Sequence, residues 1–213
     1  MRSEKDPYTC AAIIENNVTK FYRFLHAVNL KKTKRVFSVS TDKAANSTSI
    51  MGISKKLMER VMFSEHLSDG IIFSSARFAN VAFSQGSLLE NWLERLGSFE
   101  PLSCPIDCHR YFITMEEAGF ICLVAAFLAG DKDIVVPSFS EEGDLIELQL
   151  LLEKILKNLN YKPKYFETET ELMSWKNSSS ISGQWPVLLT PLDTKGEKPF
   201  EEFVKSIVTD FMK

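Results

Sequence analysis

The twenty residues from Val36 to Lys55, VFSVSTDKAANSTSIMGISK, constrain the fold most, because they read as one strand, one loop and one helix in direct succession. A β-branched and aromatic run from Arg35 to Ser40 predicts a short strand. A polar loop opening with Thr41-Asp42-Lys43 follows, and a helix begins at Ser49 to Met51. In an open α/β sheet, ligands bind beyond the carboxyl ends of the strands, so Thr41, Asp42 and Lys43 would face a bound molecule. Met51 and Lys55 are four residues apart, one helical turn, so the lysine shares a face with Met51 and points back toward the same place. Taken alone, an Asp-Lys pair in a loop also reads as a solvated turn leading into a surface helix.

The same alternation runs through the chain. Helices are predicted over Pro7 to Leu30, Ile50 to Leu67, Leu88 to Leu96, Met115 to Leu128, Leu145 to Leu159, Thr168 to Trp175 and Pro199 to Met212. Strands are predicted over Gly70 to Val81, Arg110 to Thr114, Asp133 to Pro137 and Trp185 to Thr190. In the first helix Ile13, Val18, Phe21, Phe24, Leu25 and Val28 fall roughly on one face. Strands alternating with helices place the chain in the α/β class. Lys176 to Gly183, rich in serine, is the one linker-like stretch, and there is no internal repeat.

With 213 residues, 45% of them hydrophobic and 25% charged, the chain has enough apolar material for one large domain, or one domain with a small lobe. A net charge of −3 supplies no basic field for nucleic acid, and Lys31, Lys32 and Lys34 are too few to create one. Cys10, Cys104, Cys108 and Cys122 include a C-x-x-x-C spacing, but no second pair or histidine cluster completes a zinc set, so no metal site is expected. Reduced cysteines in a cytoplasmic protein are the expectation. No signal peptide is read at the N-terminus. The most apolar run, Ala118 to Gly130 (AGFICLVAAFLAG), is shorter than the ~20 residues of a membrane span, and it reads as a buried helix.

The central segment resembles the active-site stretch of the extended short-chain dehydrogenase/reductase superfamily. It is most similar to the nucleotide-sugar 4,6-dehydratases of capsule, O-antigen and protein-glycan biosynthesis. Their pattern, S-T-D-K-A-x-x-P-x-x-x-[YM]-G-x-[ST]-K, is matched at Ser40, Thr41, Asp42, Lys43, Ala44, Met51, Gly52, Ser54 and Lys55, with Ser47 where proline is usual. That departure is expected to loosen the loop without removing a reacting group. Most of the superfamily has tyrosine at the Met51 position, and one branch of the dehydratases has methionine. Further ordered similarities lie in RSEKDPY (Arg2 to Tyr8) with Glu15-Asn16-Asn17-Val18 after it, in SARFANVAFSQGS (Ser75 to Ser87), in HRYFITMEEA (His109 to Ala118) and in TPLDTKGEKPFEEF (Thr190 to Phe203).

The resemblance implies the C-terminal part of an NAD(P)-binding Rossmann-like sheet plus a smaller α/β substrate-binding lobe. Residues 1–80 would form the partial Rossmann domain with the active-site segment. Residues 81–213 would form the nucleotide-sugar lobe and C-terminal extension, interleaved with the sheet. The implied activity is that of a lyase, the NAD- or NADP-dependent 4,6-dehydration of a UDP-N-acetylhexosamine, with UDP-N-acetylglucosamine the usual substrate of the family. Lys43 would be the base at C5 of the sugar, which requires a neutral amine, and Asp42 the acid that protonates the departing hydroxyl. The two would titrate as a coupled pair. A thioether cannot accept the sugar's hydroxyl proton, so Asp42, or a water held by Thr41 and Asp42, would do what the tyrosine does elsewhere. Lys55 would hold the nicotinamide ribose, with Ser40 and Phe78 also at the cofactor. Asn80, Ser87 and Arg110 would hold the nucleotide diphosphate, Ser87 through the start of its helix and Arg110 as a bidentate donor. Arg77, at a strand end, reads equally well as structural.

The family's G-x-x-G-x-x-G turn, which seats the dinucleotide pyrophosphate, has no counterpart among the scattered glycines. By the resemblance, the chain starts after the fourth Rossmann strand. Three alternatives therefore stand beside the dehydratase: an inactive remnant of an interrupted gene, half of a split enzyme that needs an N-terminal partner, and a C4 epimerase. A homo-oligomer formed through the helices flanking the active-site strand is a further expectation from the superfamily.

Overall fold

The computed structural model describes residues 6–28, 32–64, 70–78, 80–178 and 183–191. Arg2 to Lys5 of the first similarity, most of the Thr190 to Phe203 tail and the helix expected over Pro199 to Met212 lie outside the described residues.

Three strands form a parallel sheet in the order β1 (Arg35–Thr41), β2 (Ile72–Phe78), β6 (Asp133–Val135). β1 and β2 run in register from Arg35 opposite Ile72 to Thr41 opposite Phe78. Side chains alternate across a pleated strand, so Val36, Ser38 and Ser40 share one face with Phe73, Ser75 and Arg77, while Phe37 and Val39 share the other with Ser74 and Ala76. The first face packs on α3 (Ile50–Ser64) and α2 (Phe21–Ala27), where Leu25, Val36, Met62, Ile71 and Phe73 make a buried cluster. The second face lies under α5 (Met115–Phe127), to which Ser74 Oγ donates a hydrogen bond at the Ala125 carbonyl, 2.7 Å. α5 starts in a capping box, Thr114 accepting from the Glu117 amide and Glu117 from the Thr114 amide.

The expected first helix is present as α1 (Pro7–Ile14) and α2, joined by a π-helical segment, Glu15–Lys20. Asp6 caps α1 ahead of Pro7, whose missing N–H is harmless in a first turn.

The remaining elements build two smaller sheets. β3 (Asn80–Val81) pairs in parallel with β5 (His109–Ile113), which pairs antiparallel with β7 (Leu145–Glu147). β4 (Leu102–Pro105), β9 (Gln184–Thr190) and β8 (Lys162–Phe166) form an all-parallel sheet with β9 in the middle. Over it pack α4 (Leu88–Gly97), α7 (Leu148–Asn158) and α8 (Glu169–Ser178), and a one-turn helix, α6 (Glu141–Asp144), precedes β7. The core here is Trp92, Trp185, Leu102, Leu148, Leu152, Leu156 and Val187. Both indoles reach a carbonyl, Trp92 that of Ser103 (2.8 Å) and Trp185 that of Glu100 (3.1 Å), so neither ring leaves its N–H unsatisfied.

Three sequence expectations need correction. The helix expected over Leu145 to Leu159 begins only at Leu148, because Leu145–Glu147 pairs with β5 and tertiary pairing overrides the local period. β4 and β8 were not expected; each is short, contains proline and gains its place by pairing with β9. The apolar run from Ala118 is not fully buried: Ala118 and Ala125 face the sheet, whereas Phe120, Leu123 and Phe127 are exposed. Among the described residues no helix is long and apolar enough to cross a membrane, and no disulfide joins the four cysteines.

Candidate active site

β1 ends at Thr41, and the chain turns at once into a 3₁₀ turn, Asp42–Ala44, that the strand's last side chain caps. Thr41 Oγ1 accepts from the Lys43 amide at 3.5 Å and donates to Asp42 Oδ1 at 2.6 Å. Lys43 Nζ stands 3.6 Å from the same Oδ1. The carboxylate is buried and the lysine side chain about one-third exposed, so the pair sits at a boundary, with its carboxyl group held and its amine reachable. Ser47, where the resembled pattern has proline, donates from Oγ to the Ala44 carbonyl (3.2 Å) and so ties down the far side of the turn.

Gly52 sets how close α3 comes to this turn. A Cβ at that position would lie 2.5 Å from the Lys43 carbonyl oxygen and 3.2 Å from Lys43 Cβ. Only a residue without a side chain lets the first turn of α3 rest on the backbone of Lys43. One turn further, Lys55 Nζ donates to the Val39 carbonyl at 3.1 Å and lies 3.9 Å from Met58 Sδ. Burial lowers the Lys55 ammonium below the ordinary lysine range, and the Glu59 carboxylate partly opposes that.

The structure therefore brings Ser40, Thr41, Asp42, Lys43, Met51 and Lys55 to the carboxyl end of β1, with Phe78 opposite Thr41 on the neighbouring strand. Asn80 follows on β3 and donates to the Tyr111 carbonyl, 3.3 Å. Arg110 lies on β5, its Nη1 donating to the His109 carbonyl at 2.8 Å. Ser87 is the N-cap of α4 and accepts from the Glu90 amide, 3.2 Å. The Glu90 carboxylate also accepts from the Gly86 amide, 2.5 Å, so this helix start carries its own anion.

Two residues named in the sequence reading have partners in the site that it did not find. Arg77 is held bidentately by Glu59 of α3, Nε to Oε1 at 2.8 Å and Nη2 to Oε2 at 2.6 Å, with both side chains largely buried. The available signal was Glu59 itself, a carboxylate one turn beyond Lys55 and next to the buried Met58, which on an apolar helix face demands a cation. The second is Asn17. Its amide, carried by the π-helical segment, donates to Ser54 Oγ (2.9 Å) and lies 3.7 Å from Met51 Sδ, tying the first long helix to the turn between Met51 and Lys55. A π-helical turn often marks a functional position, but no sequence pattern announced it.

The groups that a dinucleotide could use are confined to the end of β1. Ser40 Oγ is buried with no hydrogen-bond partner, a hydroxyl available to a bound group, and Lys55 reaches the same strand end. The sequence holds no glycine-rich turn for the pyrophosphate. Among the described residues no three metal-ligating side chains come together.

The family described as "Polysaccharide biosynthesis protein" matches residues 4–183. An uncharacterized membrane protein of Methanocaldococcus jannaschii is 30% identical over 198 residues, covering 90% of this chain and 53% of that protein. A UDP-glucose 4-epimerase of Rickettsia bellii is 30% identical, covering 91% of this chain and 60% of its own length. A probable polysaccharide biosynthesis protein of Bacillus subtilis is 26% identical over 87% of this chain and 35% of that protein. Among solved structures, Pen from Bacillus thuringiensis superposes with a TM-score of 0.73 at 20% identity, covering 95% of this chain and 56% of that one. A dTDP-glucose 4,6-dehydratase from Streptomyces venezuelae with NAD bound gives 0.66 at 16% identity, over 96% of this chain and 62% of that one. These superpositions establish a Rossmann-like α/β fold, and the chain spans about half the length of several of the proteins it matches.

Proposed function

Because this chain belongs to the polysaccharide biosynthesis protein family, we propose that it is the C-terminal, substrate-handling portion of an NAD(P)-dependent nucleotide-sugar 4,6-dehydratase that acts on a UDP-N-acetylhexosamine, UDP-N-acetylglucosamine foremost, in the cytoplasm. The observation that carries the reading is the Asp42–Lys43 pair at the mouth of β1, 3.6 Å apart, with the carboxylate buried and the amine reachable. Oxidation and re-reduction at C4 need no such pair. Dehydration needs one group to take the C5 proton and another to protonate the hydroxyl leaving C6.

NAD(P), when bound, supplies a hydride acceptor for C4 and the hydride that returns to C6. The residues that would hold its nicotinamide end are Ser40, Lys55 and Phe78. Asp42 takes the proton of the C4 hydroxyl, a task the Met51 thioether cannot do, and later delivers a proton to the C6 hydroxyl as it departs. Thr41 and Lys43 both address Oδ1 of Asp42, so Oδ2 is the oxygen that exchanges this proton. Lys43 removes the C5 proton once C4 is a ketone. Proton transfer by positioned groups of this kind contributes typically ~10²–10⁴ in rate. Asn80, Ser87 and Arg110 would hold the diphosphate, and Gly86 gives way there only if Glu90 releases its amide. A second copy of the chain, packed through the helices beside β1, is the expected oligomer.

The R. bellii relative favours a second reading, C4 epimerisation. Incubation of UDP-N-acetylglucosamine and NAD with the chain, supplied with the portion of the B. thuringiensis protein it does not span, separates the two by mass. A product lighter by one water supports dehydration. A C4 epimer of unchanged mass replaces it with the second reading, and no turnover from a formed complex leaves an inactive remnant.

A further inference from the structure

Glu59 and Arg77 stand directly behind Lys55 and Ser40, two of the groups assigned to the nicotinamide end. Glu59 follows Lys55 by four residues, one turn of α3, so their side chains share a face of that helix. Arg77 is the register partner of Ser40 across β1 and β2, on the sheet face that α3 covers. Arg77 engages both Glu59 oxygens, at 2.8 and 2.6 Å, and the side chains are 3% (Glu59) and 12% (Arg77) exposed. The carboxylate is therefore fixed, with its oxygens turned to Arg77 and its charge one turn from Lys55, whose Nζ bonds the Val39 carbonyl.

Stability does not account for such a pair. The desolvation of two buried charges roughly cancels their attraction, and well-packed apolar side chains of similar volume do as well or better. What methionines in their place would lack is a fixed negative charge beside Lys55. That charge partly opposes the effect of burial on the Lys55 ammonium. The elements packed against α3 bring other charged groups, several of them engaged with one another. Asp42 and Lys43 pair on the turn after β1. Glu15 and Lys20 pair on the π-helical segment, 3.8 Å apart. Asp6 caps α1 by accepting from the Thr9 amide. Arg23 and His26 lie on α2, which meets α3 at its Met62 end through Leu25.

We propose that Glu59 and Arg77 are the positioning pair of this site: Arg77 fixes the Glu59 carboxylate, and the fixed carboxylate holds Lys55 in place and in its charged form at the end of β1. Both act through Lys55 rather than by touching a bound molecule. For a dinucleotide this means that Lys55 meets the ribose hydroxyls as an ammonium donor rather than as a neutral amine. That consequence rests on the nicotinamide reading of Lys55. The hold of the pair on Lys55 does not, and it is tested without cofactor or substrate, so the two can fail separately.

The test follows acetylation of Lys55 by acetic anhydride in the intact chain at neutral pH, read by mass spectrometry of its peptides. Lys43 is the internal reference, because its carboxylate partner is Asp42. Only the neutral amine reacts, so the rate reports the charge of Lys55. Glu59→Gln should speed acetylation of Lys55 about two- to fivefold, the size of one partly screened charge interaction. Arg77→Met, which leaves the carboxylate unbalanced, should slow it by a similar factor. Changing both residues to methionine, close to neutral in stability, should speed it as Glu59→Gln does, and this variant decides the matter if either single variant fails to fold. Lys43 should keep its parent rate throughout. Opposite signs at Lys55 mark a charge effect, since a loosened α3 would speed acetylation in every variant and at Lys43 as well. An unchanged Lys55 rate in the double variant, a faster one in Arg77→Met, or a rise at Lys43 matching that at Lys55 overturns the proposal.

Discussion

Replacing Gly52 with alanine tests whether the close seat of α3 on the Lys43 turn shapes the site. Alanine in place of glycine inside a helix ordinarily stabilises by about 1 kcal/mol. Here the added Cβ would stand 2.5 Å from the Lys43 carbonyl oxygen, 3.1 Å from its carbon and 3.2 Å from Lys43 Cβ. The obstacle is main chain in a capped 3₁₀ turn rather than the end of a flexible side chain, so the overpacking penalty belongs near the upper end of its range, about 3 kcal/mol. The net expectation is a loss of about 2 kcal/mol. With a urea m-value of about 2–3 kcal/mol/M, the unfolding midpoint falls by about 0.7–1 M. Gly119, in α5, has nothing within 4 Å of its would-be Cβ and serves as the control. Gly119→Ala should raise the midpoint by about 0.3–0.5 M, with the sign reversed. A Gly52→Ala chain as stable as the Gly119→Ala chain would refute the close approach and the placement of Lys43 that depends on it.

Glu59→Gln leaves the Arg77 guanidinium buried without its carboxylate and should lower stability by about 3–5 kcal/mol, whereas changing both residues to methionine should be close to neutral; urea melts of the three chains check this. Ser40→Ala removes a buried hydroxyl that has no partner, so stability should stay within about 1 kcal/mol of the parent, and a larger loss would reveal a partner. Lys55 should react with an amine reagent at lower pH than the exposed lysines, followed by mass spectrometry of the labelled peptides. Its folded value lies below its unfolded one, so the unfolded chain binds more protons between the two. Stability should therefore rise with pH across that window, and Lys55→Met should remove the rise.

The elements that position the site were legible because each carries its own period. The apolar alternation of Arg35–Thr41 and the helical spacing of Ile50–Ser64 locate the strand and helix, and the polar turn between them locates Asp42 and Lys43. Lys55 was placed at the same strand end by counting one turn from Met51. What stayed hidden depends on partners distant in sequence. Leu145–Glu147 continues a helical pattern and becomes a strand only because β5 is there to receive it. Leu102–Pro105 and Lys162–Phe166 are strands by virtue of β9. The exposure of Phe120 and Phe127 could not be read from an apolar run, since periodicity does not say how many neighbours a helix has. The Glu59–Arg77 pair and the reach of Asn17 to Ser54 join residues 18 and 37 positions apart, and no local rule links them.

The most direct test of the Asp42–Lys43 assignment is deuterium incorporation at C5 of the sugar, read by NMR or mass spectrometry, when the reconstituted protein turns over UDP-N-acetylglucosamine with NAD in D₂O. The account predicts label at C5 of the product with the parent chain and none with Lys43→Ala. Turnover without C5 label, or undiminished label with Lys43→Ala, would contradict it.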